Sequence, residues 1–288
     1  MSADPISVVM PHYGCEDYLL EAVRSVLNQS YPPAELIVVD DCSPTPVWLE
    51  ALQATLDDKR LRVFRTTSRV GPYRILNAVL PMIASPLIAF QDADDVSHHE
   101  RFRRQLNMLK DAEIVGCRFR TIDEAGMPIP WWRTRRLWKF RYDIWRNRLA
   151  HLPSCLMRCA TVRGLGGFDG STMFGADTDF MWRAARANRI LNTTEILYDY
   201  RQRPGSLTLS CETGIKSAAR LRYRRELKSR MRVLRESRNT SPRVIRAIAN
   251  DVNVELISVS TVANALPQRT LPPPQASPQL AHTSELLL

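Results

Sequence analysis

Short apolar runs that end abruptly in polar residues recur along the first third of the chain, and they constrain the fold more than any other feature. These runs are residues 6–10, 36–39, 61–64 and 85–90. Most are rich in β-branched residues, which is typical of buried strands. The segments between them, residues 18–28 and 73–83, have apolar residues at helical spacing. Strands that alternate with helices predict an α/β fold with a mostly parallel central sheet and helices on both faces.

Three carboxylates, Asp92, Asp94 and Asp95, directly follow the run at residues 85–90. The carboxyl ends of strands are where open α/β sheets bind their ligands. Several carboxylates together favour a hard divalent cation, Mg²⁺ or Mn²⁺, which keeps coordination positions for water and substrate phosphates. The ordinary alternative is a helix N-cap or a solvated turn, which uses the same residue types.

The overall composition, 44% hydrophobic and 24% charged over 288 residues, is that of an ordinary globular protein. No stretch approaches the roughly 18 apolar residues of a membrane span, and residues 1–5 lack the features of a signal peptide, so we expect a cytoplasmic protein. No glycine-rich phosphate loop follows the early strands, which argues against a dinucleotide oxidoreductase and a P-loop kinase. The six cysteines lack paired zinc spacing and are predicted to be buried free thiols.

The net charge of +10 is concentrated partly in the C-terminal region. Between Ile215 and Leu234, apolar residues repeat at helical spacing among arginines and lysines, which predicts a basic amphipathic helix. Such a helix could dock on its own domain, lie on an anionic bilayer or hold a partner. Tryptophans interleaved with arginines at residues 131–138 leave sugar stacking, a membrane surface, nucleic acid and ordinary packing as alternatives. Residues 267–288 are rich in proline and predicted to be disordered.

Several motifs together resemble those of family 2 glycosyltransferases of the GT-A fold. The segments that carry the resemblance are residues 8–13 (VVMPHY), 38–43 (VVDDCS), 90–95 (FQDADD) and 164–183. Their order and spacing also match the family, and the resemblance covers roughly residues 5–210. It implies a catalytic domain at residues 1–212, with a nucleotide-sugar half at about 1–110 and an acceptor half at about 111–212. A basic helical extension at 213–266 and the disordered tail would follow.

Four residues are expected to form the nucleobase side of a nucleotide-sugar site. The resemblance implies that Pro11 and Tyr13, at the end of the first strand, line the base site. It implies further that Asp41 hydrogen-bonds the base, with Asp40 beside it.

The acidic cluster is expected to hold a divalent metal, Mn²⁺ or Mg²⁺, that bridges the donor phosphates. The resemblance implies that Asp94 contacts the ribose or the metal and that Asp95 ligates the metal. Asp92 would be a third acid of the donor site.

Asp177 lies where this family keeps its general base. A carboxylate within hydrogen-bond reach can take the proton of an acceptor hydroxyl as that hydroxyl attacks the anomeric carbon. One base on the face opposite the leaving group implies a single displacement with inversion. The family often has Glu immediately before the base, whereas this chain has Ala176. The role of that acid is therefore either missing or supplied by Asp179.

Four arginines are candidates for contacts with the donor phosphates. Family members commonly have a His in a late loop where this chain has Arg203, close to Arg201. A guanidinium cannot ligate a cation, but it suits a diphosphate oxygen. Arg69 and Arg74 flank a Gly-Pro pair and are either solvated loop charges or further phosphate ligands.

The resemblance implies an inverting glycosyltransferase that transfers a sugar from a nucleotide-diphosphate donor, expected to be a UDP-sugar, to a hydroxyl of a glycan or lipid-linked acceptor. The implied setting is bacterial surface polysaccharide synthesis, at the inner face of the cell membrane if the basic helix makes peripheral contact. No nucleic-acid partner is expected. Two alternatives remain: a sugar-nucleotide nucleotidyltransferase, although residues 11–14 lack the usual glycine-rich basic loop, and a non-catalytic nucleic-acid or membrane-binding module.

Overall fold

A computed structural model describes most of the catalytic region and part of the C-terminal region. The described residues are 4–45, 52, 54–130, 132–133, 138–146, 148–236 and 254–259. The predicted disordered tail at 267–288 and Trp131 lie outside them.

The described residues form one nine-stranded mixed sheet with the order β5-β8-β6-β7-β4-β1-β2-β3-β9. The strands are β1 (Ile6–His12), β2 (Glu35–Asp40), β3 (Leu61–Thr66), β4 (Leu87–Phe90), β5 (Val96–Ser97), β6 (Ile114–Ile122), β7 (Leu156–Arg158), β8 (Ile190–Arg201) and β9 (Leu256–Ser258). The predicted parallel pairing is present among β1, β2, β3 and β4, and β6 also pairs with β8 in parallel. Antiparallel β7 joins the two parallel groups.

The helices cover both faces of this sheet. They are α1 (Glu16–Leu27), α2 (Pro72–Val79), α3 (Arg101–Leu109), α4 (Trp138–Trp145), α5 (Cys159–Gly164), α6 (Ala176–Ala187) and α7 (Ala218–Glu236). None of the helices in the described part of the chain has both the length and the apolarity needed to cross a bilayer.

Alternating side chains of the central strands build two separate cores. Val8 of β1 packs in the core that contains Leu19 of α1, whereas Val9 packs in the core that contains Ile75 of α2 and Phe180 of α6. Successive residues of a strand point to opposite faces, so one run of apolar residues can fill both cores. Each fully buried side chain of this kind contributes about 1.5–3 kcal/mol to stability. The α/β class predicted from the sequence is confirmed.

The parallel register brings the ends of three strands to one edge of the sheet. Val9 of β1 lies opposite both Ile37 of β2 and Phe90 of β4. The residues that follow each strand therefore meet above the same edge, and these are the segments that the sequence singled out.

The C-terminal region departs from its prediction in one respect. The basic helix is present as α7, and its Tyr223 and Leu227 are 8% and 1% exposed, so its apolar face packs on the catalytic domain. Residues 256–258, predicted to belong to a helical extension, instead form β9, which pairs with the edge strand β3 in antiparallel fashion.

All six cysteines are free, four of them are buried, Cys42 is half-buried and Cys211 is exposed.

Candidate active site

A cleft of about 170 Å³ opens where β1, β2 and β4 end. Its lining includes Pro11, Tyr13, Asp41, Arg69, Asp92, Asp94, Tyr200, Arg201, Arg203 and residues 205–208. The structure thus brings most of the predicted site residues into one cavity. Residues 205–208 and Met173 also line it, although the sequence analysis did not select them. The Gly-Ser run at 205–206, which follows a strand end, was the available signal.

Tyr13 and Arg69 form one wall of the cleft. The guanidinium of Arg69 lies 3.7 Å from the centroid of the Tyr13 ring. A guanidinium stacked on an aromatic face presents a flat cationic surface, which suits a planar ring or a phosphate.

Asp41 fixes the loop that leads into α2. Its two carboxylate oxygens accept hydrogen bonds from the backbone N–H groups of Val70, at 2.7 Å, and Gly71, at 2.9 Å. Burial raises the pKa of Asp41. Gly71 has φ +90, a conformation that glycine adopts without strain. Asp41 therefore lines the cleft while it also orders the opposite loop.

Asp40 lies beneath the cleft. It is fully buried and pairs with Nδ1 of His12 at 3.0 Å, with Nη1 of Arg65 at 2.8 Å and with the Ser43 hydroxyl. Burial alone would raise the pKa of Asp40, but the hydrogen bonds from His12 and Ser43 lower it. These contacts stabilise the turn after β2, and the side chain does not line the cleft.

The turn after β4 is held rigid from below. The Gln91 side chain donates a hydrogen bond to the Asp95 carbonyl at 3.0 Å and accepts others from Ser97 and the buried Arg101. Arg101 also donates to the carbonyls of Phe90 and Cys155. Because this network fixes the backbone, the directions of the following acids are fixed as well.

The three acids point in two directions. Asp92 and Asp94 line the cleft, whereas Asp95 is fully buried behind it. One oxygen of Asp95 accepts the N–H of Arg201 at 2.7 Å, and the carboxylate also lies within reach of the Tyr198 hydroxyl. Burial raises the pKa of Asp95 well above its usual value. The predicted metal contact of Asp95 is thus less favoured by geometry than that of Asp94.

The charges in the cleft fit a cation. Burial, together with the negative charges of Asp94 and Asp177, raises the pKa of Asp92 to about 8. A divalent ion would remove this penalty, and carboxylate oxygens are the ligands that Mn²⁺ and Mg²⁺ prefer. The described side chains hold no cluster of three or more His, Cys, Asp or Glu ligands. A metal held by Asp92 and Asp94 would therefore take its other ligands from phosphates and water.

Arg201 and Arg203 differ in their contacts. Arg201 is 2% exposed, and its guanidinium binds Glu21 and the carbonyls of residues 94, 123 and 124. Arg203 instead donates to the carboxylate of Asp94 at 2.6 Å inside the cleft. Arg203 is thus the better phosphate candidate of the two, since the donors of Arg201 are already used by the protein.

Asp177 occupies the first turn of α6, next to Gly175, whose φ is +80. It accepts a hydrogen bond from the hydroxyl of Tyr73 at 3.3 Å. Tyr73 was not selected from the sequence, because only the packing of α2 against α6 brings it to Asp177. The negative charge of Asp177 contributes to the raised pKa of Asp92, so the two carboxylates lie within electrostatic reach of each other.

The two remaining predicted residues, Asp179 and Arg74, contact the protein around Asp177 and do not line the cleft. Asp179 is 5% exposed and binds Nε of Arg183 at 2.8 Å, so its carboxylate is directed into the core. It therefore does not replace the acid that Ala176 lacks. Arg74 donates from Nε to the carbonyl of Gly170 at 2.8 Å and holds the loop before α6.

Comparison with known proteins agrees with this architecture. The sequence model of glycosyl transferase family 2 matches residues 7–163. The putative teichuronic acid biosynthesis glycosyltransferase TuaG of Bacillus subtilis is 32% identical over 106 residues, which are 37% of this chain and 42% of that protein. The chain spans less than half the length of curated relatives such as this one.

Two solved structures share the fold. TarS 1–349 of S. aureus in complex with UDP-GlcNAc superimposes with a TM-score of 0.57 and 20% identity, over 70% of this chain and 60% of that one. The mannosyltransferase PcManGT of Pyrobaculum calidifontis, in complex with GDP-Man and Mn²⁺, superimposes with a TM-score of 0.60 and 18% identity, over 83% and 66%. Since the family match covers more than half of the chain and the sheet has the GT-A arrangement, the chain belongs to glycosyltransferase family 2.

Proposed function

We propose that this chain transfers a sugar from a nucleotide-diphosphate donor, a UDP-sugar, to a hydroxyl of a glycan or lipid-linked acceptor, with inversion at the anomeric carbon. The observation that carries the proposal is that Asp92 and Asp94 line one cleft at the strand ends, with Asp177 close enough for its charge to act on Asp92. Family membership sets aside the nucleotidyltransferase and the non-catalytic module. The name of TuaG supports a setting in bacterial surface polysaccharide synthesis.

The donor is proposed to lie between the Tyr13–Arg69 wall and the acid pair. TarS binds UDP-GlcNAc and PcManGT binds GDP-Man, which supports a nucleotide-sugar donor. Tyr13 and Arg69 would contact the base, and Asp41 would accept a hydrogen bond from it. Arg203 would bind a phosphate oxygen, since a guanidinium matches that geometry.

A divalent metal held by Asp94 and Asp92 would neutralise the charge that develops on the leaving nucleoside diphosphate. The complex of PcManGT with Mn²⁺ supports this assignment. Asp95 would keep the turn in place beneath these two acids, because its carboxylate binds the backbone of Arg201.

Asp177 is proposed as the general base. It would take the proton from the acceptor hydroxyl while the acceptor oxygen bonds to the anomeric carbon and the bond to the donor phosphate breaks. The hydroxyl of Tyr73 would hold Asp177 in position. Attack from the side opposite the leaving group gives the inverted product.

Calorimetric titration with UDP, GDP, dTDP and CDP, each with and without Mn²⁺, tests the donor site. We expect metal-dependent binding of UDP that is lost in Asp94→Asn and kept in Asp17→Asn, a control on the exposed face of α1. Absence of nucleotide binding under every condition would overturn the proposal. If only GDP binds, the proposed transferase activity stands and the donor is a GDP-sugar instead of a UDP-sugar.

We propose in addition that α7 makes peripheral contact with an anionic membrane through charge alone. Its apolar face is buried on the domain, whereas Arg222, Arg224, Arg225 and Lys228 are exposed. Each basic residue near such a surface contributes about 1 kcal/mol, and salt screens the effect. We expect sedimentation with phosphatidylcholine–phosphatidylglycerol vesicles at low salt, reversed by high salt or by Arg224→Gln/Arg225→Gln/Lys228→Gln. Equal binding to neutral vesicles would contradict this.

A further inference from the structure

We propose that a second cavity, separate from the donor cleft, binds the lipid carrier of the acceptor, an isoprenoid chain that bears a phosphate. This acceptor groove has a volume of about 460 Å³, within the usual range for ligand sites. It is lined by Arg118, Phe119, Arg120, Thr121, Ile129, Arg141, Tyr142, Ile144, Trp145 and Ile196. The inference rests on the proposed transfer to a lipid-linked hydroxyl.

The apolar part of the groove is open to solvent. Trp145 is 56% exposed, Ile196 is 47% exposed and Tyr142 is 39% exposed. Tyr142 and Trp145 pack against each other with ring centroids 5.8 Å apart, so they present one continuous surface. Clustered exposed apolar side chains mark sites where a soluble protein meets an apolar ligand or partner.

The lining of the groove favours an apolar chain over a sugar. No Asp, Glu, Asn or Gln is among the residues that form its walls in the described part of the chain. A sugar has many hydroxyls that need both donors and acceptors, and among the described lining residues the side-chain acceptors are the hydroxyls of Thr121 and Tyr142. An apolar chain needs neither.

The charged part of the groove favours an anion. Arg118 is half-buried and makes no hydrogen bond or ion pair with any described residue, whereas Arg120 is held by Asp199 through bonds of 2.8 and 2.7 Å. The donors of Arg118 are therefore open to a ligand, and a phosphate matches the geometry of a guanidinium. The same arginine disfavours a symmetric contact between two copies of the chain, because that contact would bring like charges together.

The groove and the donor cleft share a wall. Phe119 lines the groove and Tyr200 lines the cleft, and their rings pack edge to face at 5.9 Å. A carrier bound in the groove therefore lies beside the cleft where the sugar is proposed to be transferred. One groove of this size admits a single chain, which favours an isoprenoid over a two-chain lipid.

Titration with farnesyl phosphate, followed by calorimetry and tryptophan fluorescence, tests this assignment. Farnesol and inorganic phosphate serve as the two halves of the probe. We expect farnesyl phosphate to bind at least about tenfold more tightly than either half. Ile196→Glu should weaken its binding more than about tenfold, and Arg118→Gln by about tenfold. Met82→Glu and Arg24→Gln, at exposed positions elsewhere, should leave it unchanged.

Three results would overturn the inference: equal affinity for inorganic phosphate and farnesyl phosphate, equal affinity of wild type and Ile196→Glu, or a wild-type dimer in solution that Ile196→Glu separates. Titration of the same variants with UDP and Mn²⁺ keeps this inference distinct from the proposed function. If nucleotides bind and farnesyl phosphate does not, the inference about the groove is wrong and the proposed transferase function stands. If farnesyl phosphate binds and nucleotides do not, the proposed nucleotide-sugar donor is wrong and the inference about the groove stands.

Discussion

The guanidinium of Arg203 lies directly on the carboxylate of Asp94, with Nε 2.6 Å from Oδ2. The two side chains are only 12% and 17% exposed, so solvent screens this pair less than a surface pair. Asp94 is also the cleft acid best placed to hold a metal. Arg203 and a metal therefore compete for the same carboxylate.

Replacing Arg203 should change metal binding and nucleotide binding in opposite directions. In Arg203→Gln, we expect Mn²⁺ alone to bind about tenfold more tightly, because a competing cation worth about 1.4 kcal/mol is gone. We expect UDP in the presence of Mn²⁺ to bind more weakly, because a phosphate contact is lost. Electron paramagnetic resonance of free Mn²⁺ and calorimetry measure the two effects. Arg62→Gln, which breaks the pair with Glu35 far from the cleft, is the control, and an unchanged Mn²⁺ affinity would contradict competition.

Removing the proposed base should affect turnover and spare donor binding. Asp177→Asn keeps the shape of the side chain and loses its basicity, so we expect turnover to fall by about 10²–10⁴-fold. The affinity for UDP with Mn²⁺ should stay within about twofold, since Asp177 does not line the donor cleft. Steady-state kinetics with a defined acceptor and calorimetry check the two statements. Turnover near the wild-type rate would exclude Asp177 as the base.

The neighbouring acid Asp179 should behave as a structural residue. Asp179→Ala leaves Arg183, which is 3% exposed, without its carboxylate, and breaking a buried pair costs about 3–5 kcal/mol. We expect urea unfolding to show this loss of stability. The double variant Asp179→Ala/Arg183→Leu should recover part of it, because no unpaired charge is then buried. A stable Asp179→Ala with lost turnover would instead assign Asp179 to catalysis.

Acid should destabilise the protein through His151. This ring packs among Phe119, Tyr198 and Tyr200, and burial lowers the pKa of His151 to about 3, assisted by the charge of Arg101. The unfolded chain takes up this proton below about pH 6.5. Stability is therefore lost as pH falls from about 6.5 towards 3, with a slope of up to about 1.4 kcal/mol per pH unit.

The variant His151→Phe should remove this contribution, whereas the opposite contributions of Asp92 and Asp95, whose pKa values are raised, stay the same in both proteins. Urea unfolding at several pH values between neutrality and about 4.5 measures it. His99→Phe is the control, because the His99 side chain is 68% exposed. The same pH slope in wild type and His151→Phe would rule out this histidine as the source.

The helix α7 should position the loop that carries the base. The Tyr223 ring lies so close to Gly175 that a Cβ there would be 3.1 Å from it, and the Tyr223 hydroxyl donates to Asp169 at 3.3 Å. We expect Tyr223→Ala to lower kcat about tenfold, a loss of about 1.4 kcal/mol in transition-state stabilisation, without a change in nucleotide affinity. Leu221→Ala, on the exposed face of the same helix, should have no effect.

Tyr223→Phe separates the ring from the hydroxyl. If the ring supports the loop, this variant keeps most of the activity, whereas loss of activity in both variants would assign the effect to the bond with Asp169. Equal kcat for wild type and Tyr223→Ala would contradict a role of α7 in positioning the base.

The sequence by itself determined the α/β class, the strand ends and the identity of the acids, because these follow from local patterns. Alternation of apolar runs fixes strands and helices, and the parallel order brings Asp41, Asp92 and Asp94 to one edge. The family resemblance added the expected roles. Each of these features depends on residues close together in the chain, which is why they could be predicted.

Only the tertiary structure decided which side chains reach the cleft. Asp94 and Asp95 are adjacent, yet one lines the cleft and the other is buried, because the turn held by Arg101 fixes their directions. Arg201 and Arg203 differ in their contacts for a similar reason, because Arg201 donates a hydrogen bond to Glu21 of α1. The pairing of β9 with β3 and the acceptor groove also join segments distant in sequence, and such contacts have no local signal because they arise from packing.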